Sequence, residues 1–575
     1  MVETLWKLPE ALGSGQDDLS RLLPCSPLLA RALRKRGIEG AEEAKRFLEP
    51  KLTHLRDPFL LPDMDRAVSR IDAAIRAKEP MAIFGDYDVD GISSTCLLHE
   101  FFRYIDYPVI YRLPHRLTEG YGIRKDAVRE LAAQGVRVII TVDNGSSAVE
   151  EVELAASLGI DVVVTDHHLP GPRLPPAVAV VNPCRRDSAY PFQGLAGAGV
   201  AFKLLWALCQ RFSKSQKLSK ELQAFLLESL ALVALGTISD VVPLLDENRV
   251  LAKFGLRALE KTARPGLRRL VDDALAGREE RRLAASDVGY RIGPRINAAG
   301  RLGHAENAIR LLLSDDAVEA GRLASVLEDD NRKRQEIERA ICEEARAAVV
   351  AGIALDRSRA IVLAGEGWHP GVIGIVAGRI AEEFHRPTVL LVIDGDRARG
   401  SARSVPGVDL CAALQECRGS LLAFGGHAMA AGLEIELSRI DELQAGLDRA
   451  IPIDPAAMVR EVEVDGGVRL SDLTAAALEE LAYLAPHGNG NPEPVFVLEN
   501  MDVVGEPRVL GNTGRHLAFH VREDSAVRRA IAFGQGDLFS RMRRGSRVSL
   551  LLEPRLRIWQ GRSDIELNVR EIRFV

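Results

Sequence analysis

The sequence predicts an α/β protein: a parallel-sheet domain, a long connecting helix, a second α/β domain and a C-terminal β-barrel. Three observations predict it. Between about residues 55 and 181, short apolar runs alternate with helical stretches, the pattern of parallel strands joined by crossover helices. Leu323–Val350 is an unbroken stretch rich in Glu, Arg and Ala that reads as one helix. From about residue 460 the chain turns to short alternating segments, such as Ile565-Glu566-Leu567-Asn568-Val569-Arg570, with arginine on the polar side. At roughly 100–200 residues per domain, 575 residues suggest three or four domains.

In order along the chain, residues 1–50 read as short helices, with Leu28-Leu29-Ala30, Leu33 and Phe47-Leu48 as apolar points. Residues 51–322 form the first α/β domain. Its strands are expected at 81–84, 108–113, 137–142, 161–165 and 177–181, with helices at 92–105 and 125–134 between them, then a more helical part from about 198. The connecting helix is placed at 323–352, and the second α/β domain at 353–455 has strands at 360–363 and 388–393. The barrel takes 456–575, with a turn at Trp559-Gln560-Gly561-Arg562.

Composition narrows the functional classes. The most apolar window, Phe225–Leu245, is broken by Glu228 and Asp240, so no membrane span is expected. The opening Met-Val-Glu-Thr-Leu-Trp-Lys lacks a basic start and apolar core, so no secretory signal is expected. Seven scattered cysteines without Cys-x-x-Cys exclude a zinc finger and a disulfide framework, and fit a reducing cytoplasm. Net charge is −6, yet residues 501–575 hold 14 Arg and no Lys against 9 acidic residues. That local +5 leaves −11 on the rest, and suggests a C-terminal surface for a polyanion.

Four acidic clusters carry the chemistry. Gly85-Asp86-Tyr87-Asp88-Val89-Asp90-Gly91, Thr141-Val142-Asp143-Asn144-Gly145, Asp166-His167-His168 and Ile238-Ser239-Asp240-Val241 each follow a run of small apolar residues. In open parallel sheets, ligands gather at the carboxyl ends of the strands. A helix cap would explain any single cluster. Four together point to a binuclear site, because two divalent cations about 3.5–4 Å apart need a bridging carboxylate and several terminal ligands. Asp88, Asp90, Asp143, His167 and Asp240 meet that need, with Asp86 a further ligand or a supporting group. Carboxylates joined by imidazole favour Mn²⁺ and its neighbours over Ca²⁺. An EF-hand fails, because no Glu lies at the twelfth position and a helix begins first. His167 and His168 point opposite ways in an extended segment, so one is the ligand and the other contacts phosphate or orients the site. Arg116 follows a strand and could reach this cleft with a fork suited to phosphate.

These motifs resemble those of the DHH phosphoesterases, and Gly425-Gly426-His427-Ala428 resembles the glycine-rich motif of their associated DHHA1 domain. Longer strings are similar to the branch of that family that degrades single-stranded DNA: Gly293–Leu302, Gly367–Gly374, Gly400–Ser404 and Gly490–Pro494. The resemblance runs from about residue 5 to the C-terminus. It departs from the small-substrate branch, which carries His at the position of Phe84.

The resemblance implies a Mn²⁺- or Mg²⁺-dependent exonuclease with two ions. It would degrade single-stranded DNA from 5′ to 3′ into mononucleotides, in recombination and repair. Asp86, Asp88, Asp90, Asp143, His167, His168 and Asp240 would be catalytic, all but His168 as metal ligands. Arg301, Ser401, Arg403 and His427 would join Arg116 in holding the strand. The C-terminal module resembles the family's OB-fold, with Phe519, Phe533 and Trp559 as candidate base platforms or simply core. Expected partners are single-stranded DNA, a single-strand-binding protein and a helicase, in the cytoplasm and without a membrane. Two alternatives remain. A phosphodiesterase of short oligonucleotides or cyclic dinucleotides would usually lack the barrel. A non-catalytic DNA-binding scaffold would have lost metal carboxylates, which are intact here.

Overall fold

The apolar runs of the first α/β region pair as a five-stranded parallel sheet in the computed structural model, which describes residues 4–9, 23–213, 218–278, 282–303, 305–511, 514–559 and 562–575. The strands are β1 (Met81–Phe84), β2 (Val109–Arg112), β3 (Val138–Val142), β4 (Asp161–Thr165) and β5 (Ala179–Val181), in the order β2-β1-β3-β4-β5. β1 and β3 are buried at every position, as strands covered on both faces must be. The first crossover helix is α1 (Val89–Tyr104), followed by α2 (Lys125–Ala133) and α3 (Val149–Ser157). Ala82, Phe84, Ile139, Val162 and Val164 share a core with α2 and α3. Alternate residues point the other way, where α1 and α4 (Gly197–Ser213) meet the sheet.

α5 (Lys220–Ser239) packs against α1 and α4. Among the described residues it is the one helix long and apolar enough to cross a membrane, but 72% of that window is buried inside the protein, as in a core helix. α6 (Gly293–Leu302) packs on the long connecting helix α7 (Ala317–Gly352).

Two helix starts differ from expectation. α1 begins at Val89 rather than Ile92, because the Asp88 carboxylate accepts from the N–H groups of Asp90 and Gly91 and caps it. α7 begins at Ala317 rather than Leu323, capped by Asp316 through the Glu319 N–H at 2.7 Å.

The second sheet is mixed. β6 (Ile361–Gly365) is followed by α8 (Ile373–Phe384), β7 (Thr388–Asp394), β8 (Arg397–Arg403), β9 (Leu421–His427) and β10 (Ala430–Glu436). The order is β9-β10-β8-β7-β6, with only β6 and β7 parallel. The sequence reading found β6 and β7 but not the other three. β8 reads Arg-Ala-Arg-Gly-Ser-Ala-Arg, with too few apolar positions to register as a strand.

By contacts the chain forms two compact units, one of residues 55–242 and 251–460, the other of residues 4–54, 243–250 and 461–575. In the second, β11 (Phe496–Leu510), β12 (His516–Glu523), β13 (Ala526–Ala532), β14 (Arg547–Trp559) and β15 (Arg562–Phe574) close into a barrel through the β11–β14 pairing. β13 and β15 pair in parallel and the other barrel strands antiparallel. The helices Pro27–Lys35 and Ala41–Leu48, expected as a segment of their own, share one core with this barrel through Leu28, Leu33 and Ala44. Phe519 is 2% exposed and belongs to that core, so it is no base platform. Phe533 is 56% exposed. Gln560 and Gly561 of the expected turn, and the side chain of Trp559, lie outside the described residues.

Candidate metal centre

The carboxyl ends of three parallel strands and one helix deliver the acidic clusters to one place. Asp86 and Asp88 follow β1, Asp90 lies in the first turn of α1, Asp143 follows β3, Asp166 to His168 follow β4, and Asp240 caps the C-terminus of α5. Asp143 is held at φ 62°, a left-handed conformation that aspartate tolerates better than most residues. Its N–H donates to the Thr165 carbonyl at 3.0 Å. The neighbouring Asn144 amide donates to the carbonyls of Val142 (2.9 Å) and Phe84 (3.3 Å), so one side chain ties the ends of β1 and β3 together.

Three overlapping groups of ligand atoms result. Asp86, Asp88 and Asp143 form one, with ligand atoms within 4.8 Å of one another. Asp90, His167 and Asp240 form another of the same size. His167 Nε2 stands 3.0 Å from Asp143 Oδ1, 3.6 Å from Asp240 Oδ2 and 3.8 Å from Asp90 Oδ2. Asp143, His167 and His168 form a third group of that size, so Asp143 and His167 link the other two, which puts Asp143 in the position of a bridging carboxylate. Asp90 is fixed by the N–H groups of Gly197 (2.7 Å) and Ala198 (2.9 Å) at the start of α4.

The two histidines divide. Burial, aided by the charge of His168, lowers His167 to about 4, leaving a neutral imidazole with a free lone pair. His168 is 2.8 Å from Asp166, and although burial opposes its charge, that hydrogen bond and nearby carboxylates raise its pKa. Asp166 in turn is held at about 2. Burial works against its charge, but His168, His167 and the Ser146 N–H outweigh it.

The residues fit divalent cations on two grounds. Asp86 Oδ1, Asp143 Oδ1 and His167 Nε2 are buried without a hydrogen-bond partner, which native interiors rarely permit without another ligand. Burial and mutual repulsion also push the carboxyls up: Asp90 to about 7, Asp240 to about 9, and Asp86 and Asp143 well above the usual range. Cations would supply the countercharge that the surrounding protein withholds.

The guanidiniums of Arg116, Arg301 and Arg403 gather beside this centre, and none forms an ion pair with any described residue. Burial lowers Arg301 to about 9, with Arg116, Arg334 and Arg403 pushing the same way and Asp88 opposing. Burial and Arg116 lower Arg403 likewise. Arg301 on α6 donates to the Gly371 carbonyl at 3.0 Å, which joins the two lobes of this unit. Ser401 and Arg403 are two positions apart on β8 and share a face. A Cβ on Gly374 would sit 3.4 Å from Ser401 Oγ and 3.1 Å from the Arg403 guanidinium. His427, at the end of β9, is exposed, and no described contact brings it to the carboxylates.

Sequence reasoning did not single out four supports. Asp166 enters the sequence argument only as part of its motif, and its carboxylate holds His168 and the Ser146 N–H. The Tyr121 hydroxyl donates to the Asp143 carbonyl at 3.0 Å and stands 3.0 Å from His168 Nδ1. Asn297 accepts from the Val89 N–H at 3.2 Å. At Gly197 a Cβ would fall 2.6 Å from Asp143 Oδ1. The run Ala196-Gly197-Ala198-Gly199 was the available signal for the last, since small residues mark close approach. Gly197→Ala is expected to displace the Asp143 carboxylate. A misplacement of about 1 Å can cost about a hundredfold in rate. Calorimetric Mn²⁺ titration should show weakened binding in the folded variant, and unchanged affinity would refute the shared role of Asp143.

Comparison with known proteins gives a consistent result. The models of the DHH family N-terminal domain, the DHHA1 domain and the RecJ OB domain match residues 80–237, 357–452 and 464–571. The single-stranded-DNA-specific exonuclease RecJ of Bacillus subtilis is 38% identical over 572 residues, covering 98% of this chain and 70% of the relative. RecJ of Escherichia coli is 39% identical over 496 residues, 83% of this chain and 84% of the relative. The structure of RecJ from Thermus thermophilus in complex with Mn²⁺ superposes with a TM-score of 0.82 at 33% identity, over 99% of this chain and 79% of that one. A Mg²⁺ complex of the same protein gives a TM-score of 0.77. A chain of this length, similarity and domain order belongs to the RecJ family of DHH phosphoesterases.

Proposed function

We propose that this chain is a metal-dependent exonuclease of single-stranded DNA, working from the 5′ end and releasing mononucleotides, in recombination and repair. The observation that carries the reading is the juxtaposition of the carboxylate–imidazole centre with three guanidiniums that no carboxylate neutralises. The centre suits cations, and the arginines suit the phosphates of a strand. The metal complexes of the T. thermophilus relative support Mn²⁺ or Mg²⁺, and the separate ligand groups of this chain support two ions. Such a pair supplies Lewis-acid activation of water and neutralises charge at the phosphodiester.

The chain's own residues have separate tasks in this reading. Asp86, Asp88, Asp90, Asp143, His167 and Asp240 would hold the ions, with Asp143 placed to serve both. His168, held by Asp166 at 2.8 Å, faces the phosphate. Arg116, Arg301, Ser401 and Arg403 grip the strand and its terminal phosphate, and His427 belongs to the same surface when a strand is present. Residues 51–322 act as the hydrolytic domain, 323–352 as the connecting helix, 353–455 as the phosphate-holding domain, and 456–575, together with the helices of 1–50, as the strand-binding module. In the barrel, Arg508, Arg515, Arg528, Arg543 and Arg544 have no ion pair among the described residues, so affinity for long strands should fall as salt rises. The small-substrate reading is disfavoured by Phe84, fully buried where a ligand histidine would stand. Cytoplasmic location, with a single-strand-binding protein and a helicase as partners, belongs to the same proposal.

End-labelled single strands of DNA and RNA, with Mn²⁺, Mg²⁺ or chelator, test it. A 5′ label should leave first as a mononucleotide while a 3′ label persists on shortening strands, and chelator should stop both. Cleavage in chelator would refute the metal-dependent reading, and first release of the 3′ label would reverse the polarity.

A further inference from the structure

One candidate ligand of the centre is tied to the barrel-bearing unit by the chain itself. Asp240 ends α5, where its N–H donates to the Gly236 carbonyl at 2.9 Å. Two residues later the chain leaves the first compact unit, and residues 243–250 belong to the second. The link is stiff. Val241 is held at φ 61°, and for a β-branched residue this left-handed backbone is a genuine outlier. Val241 is 65% exposed, so packing of its side chain does not explain the conformation. Such strain persists where the surrounding chain is fixed.

The second unit fixes the far side of the link. The Leu244 N–H donates to the Asn489 carbonyl at 2.8 Å. Gly488 and Gly490 let that loop come close: a Cβ on the first would lie 2.6 Å from Leu244 Cδ1, and one on the second 3.1 Å from Pro243 Cβ. The Asn248 amide donates to the Pro243 carbonyl at 3.0 Å. Next to it, Arg249 is 1% exposed. Its guanidinium donates to the carbonyls of Phe47 and Leu484 at 2.8 Å, and of Tyr483 and Ala485 at 3.0 Å. It also lies 3.9 Å from the centre of the Phe47 ring. Among the described residues no carboxylate pairs with it, and burial, aided by the charge of Arg36, lowers its pKa to about 9. An apolar side chain would fill this place at lower cost, because a buried charge without a countercharge is expensive. What the planar fork adds is direction. Carbonyls from two segments of the unit fix one side chain, and with it the first turn of the helix Asp246–Lys261.

We infer that Arg249 is a positioning residue for the metal ligand Asp240: it anchors residues 243–249 in the barrel-bearing unit and, through the strained link at Val241, holds the Asp240 carboxylate in place for metal. The inference rests on the metal-dependent reading above. It joins the strand-binding module and the metal centre in one linkage, since a displacement of the anchor reaches a metal ligand within a few residues. Such coupling is reciprocal, so metal that fixes Asp240 also steadies the anchor.

Calorimetric Mn²⁺ titration of the full chain tests it, with the parent, Arg249→Met, Asp240→Asn and the double variant. Arg249→Met should weaken Mn²⁺ binding by about tenfold or more, the loss typical when a group supporting a metal ligand is removed. Asp240→Asn should weaken it at least as much. The double variant should bind no worse than Asp240→Asn alone, because both changes remove the same contact, whereas a merely structural arginine would give losses that add. Circular dichroism checks folding, and Arg249→Lys, which keeps the charge without the fork, takes the place of a variant that does not fold. Val241→Gly slackens the link at an exposed position on which folding does not depend, and it too should weaken Mn²⁺ binding. Parent-like affinity in the folded Arg249 variant or in Val241→Gly, or additive losses in the double variant, overturns the inference and leaves the metal-dependent reading standing. A parent that binds no Mn²⁺ overturns both.

Discussion

Asp143→Ala is expected to lower cleavage of single-stranded DNA by on the order of a thousandfold, the upper range for loss of one preorganised electrostatic contact, since this carboxylate links the ligand groups. Its fold should survive. Asp143 is 2% exposed, and burial together with Asp90, Asp88, Asp240 and Asp86 disfavours its charge, so its removal relieves repulsion in the metal-free protein. Without metal, the variant should melt at or above the parent's Tm. With Mn²⁺, the parent should gain stability in proportion to binding, while the variant gains much less. The two melting curves should therefore cross over as metal is added. Parent-like activity, or an unchanged Mn²⁺-induced shift in Tm, would show that Asp143 does not bridge.

Arg403→Ala should act in the opposite way, with the metal response intact and cleavage reduced. The bland alternative for a surface arginine is an ion pair worth at most about 1 kcal/mol. The structure removes that alternative, because Arg403 makes no ion pair with a described residue and its Nη1 donates only to the adjacent Ala402 carbonyl at 2.9 Å. The rest of its fork is free for a phosphate. Loss of a charge-assisted contact costs about 1.5–3 kcal/mol. If the contact is made in the transition state, that is roughly ten- to a hundredfold in kcat/KM. Arg403→Lys should restore part of the loss, as a point charge without the fork. A kcat/KM within about twofold of the parent, on a short strand with metal saturating, would remove Arg403 from the substrate site.

Legibility varied among elements for physical reasons. β1, β3 and β4 are short apolar runs bounded by acidic or turn residues, and both signals are local, so the parallel sheet could be read before any contact was known. β8 and β9 could not. The first is mostly arginine and glycine, and the second ends in exposed Gly425-Gly426-His427, so neither offers an apolar period. Each is a strand because β10 and β7 supply its hydrogen-bonding partners. Phe519 shows the same limit. Its alternation in β12 says that it faces one side, and only the closed barrel makes that side the core.

The sequence by itself determined the fold class, the four acidic clusters and their place at the ends of strands and of one helix, because period and motif are carried by neighbouring residues. Tertiary structure alone decided how those clusters combine. Asp240 lies 150 positions beyond Asp90, and they meet because α5 packs closely on α1: a Cβ at Gly236 would fall 2.4 Å from Asp90 Oδ1. The two histidines were likewise indistinguishable until packing set His167 Nε2 3.0 Å from Asp143 and His168 Nδ1 2.8 Å from Asp166. The gathering of Arg116, Arg301 and Arg403 depends on α6 and β8 belonging to lobes that α7 joins. Desolvation and close approach are properties of packed atoms, and no local run of residues encodes them.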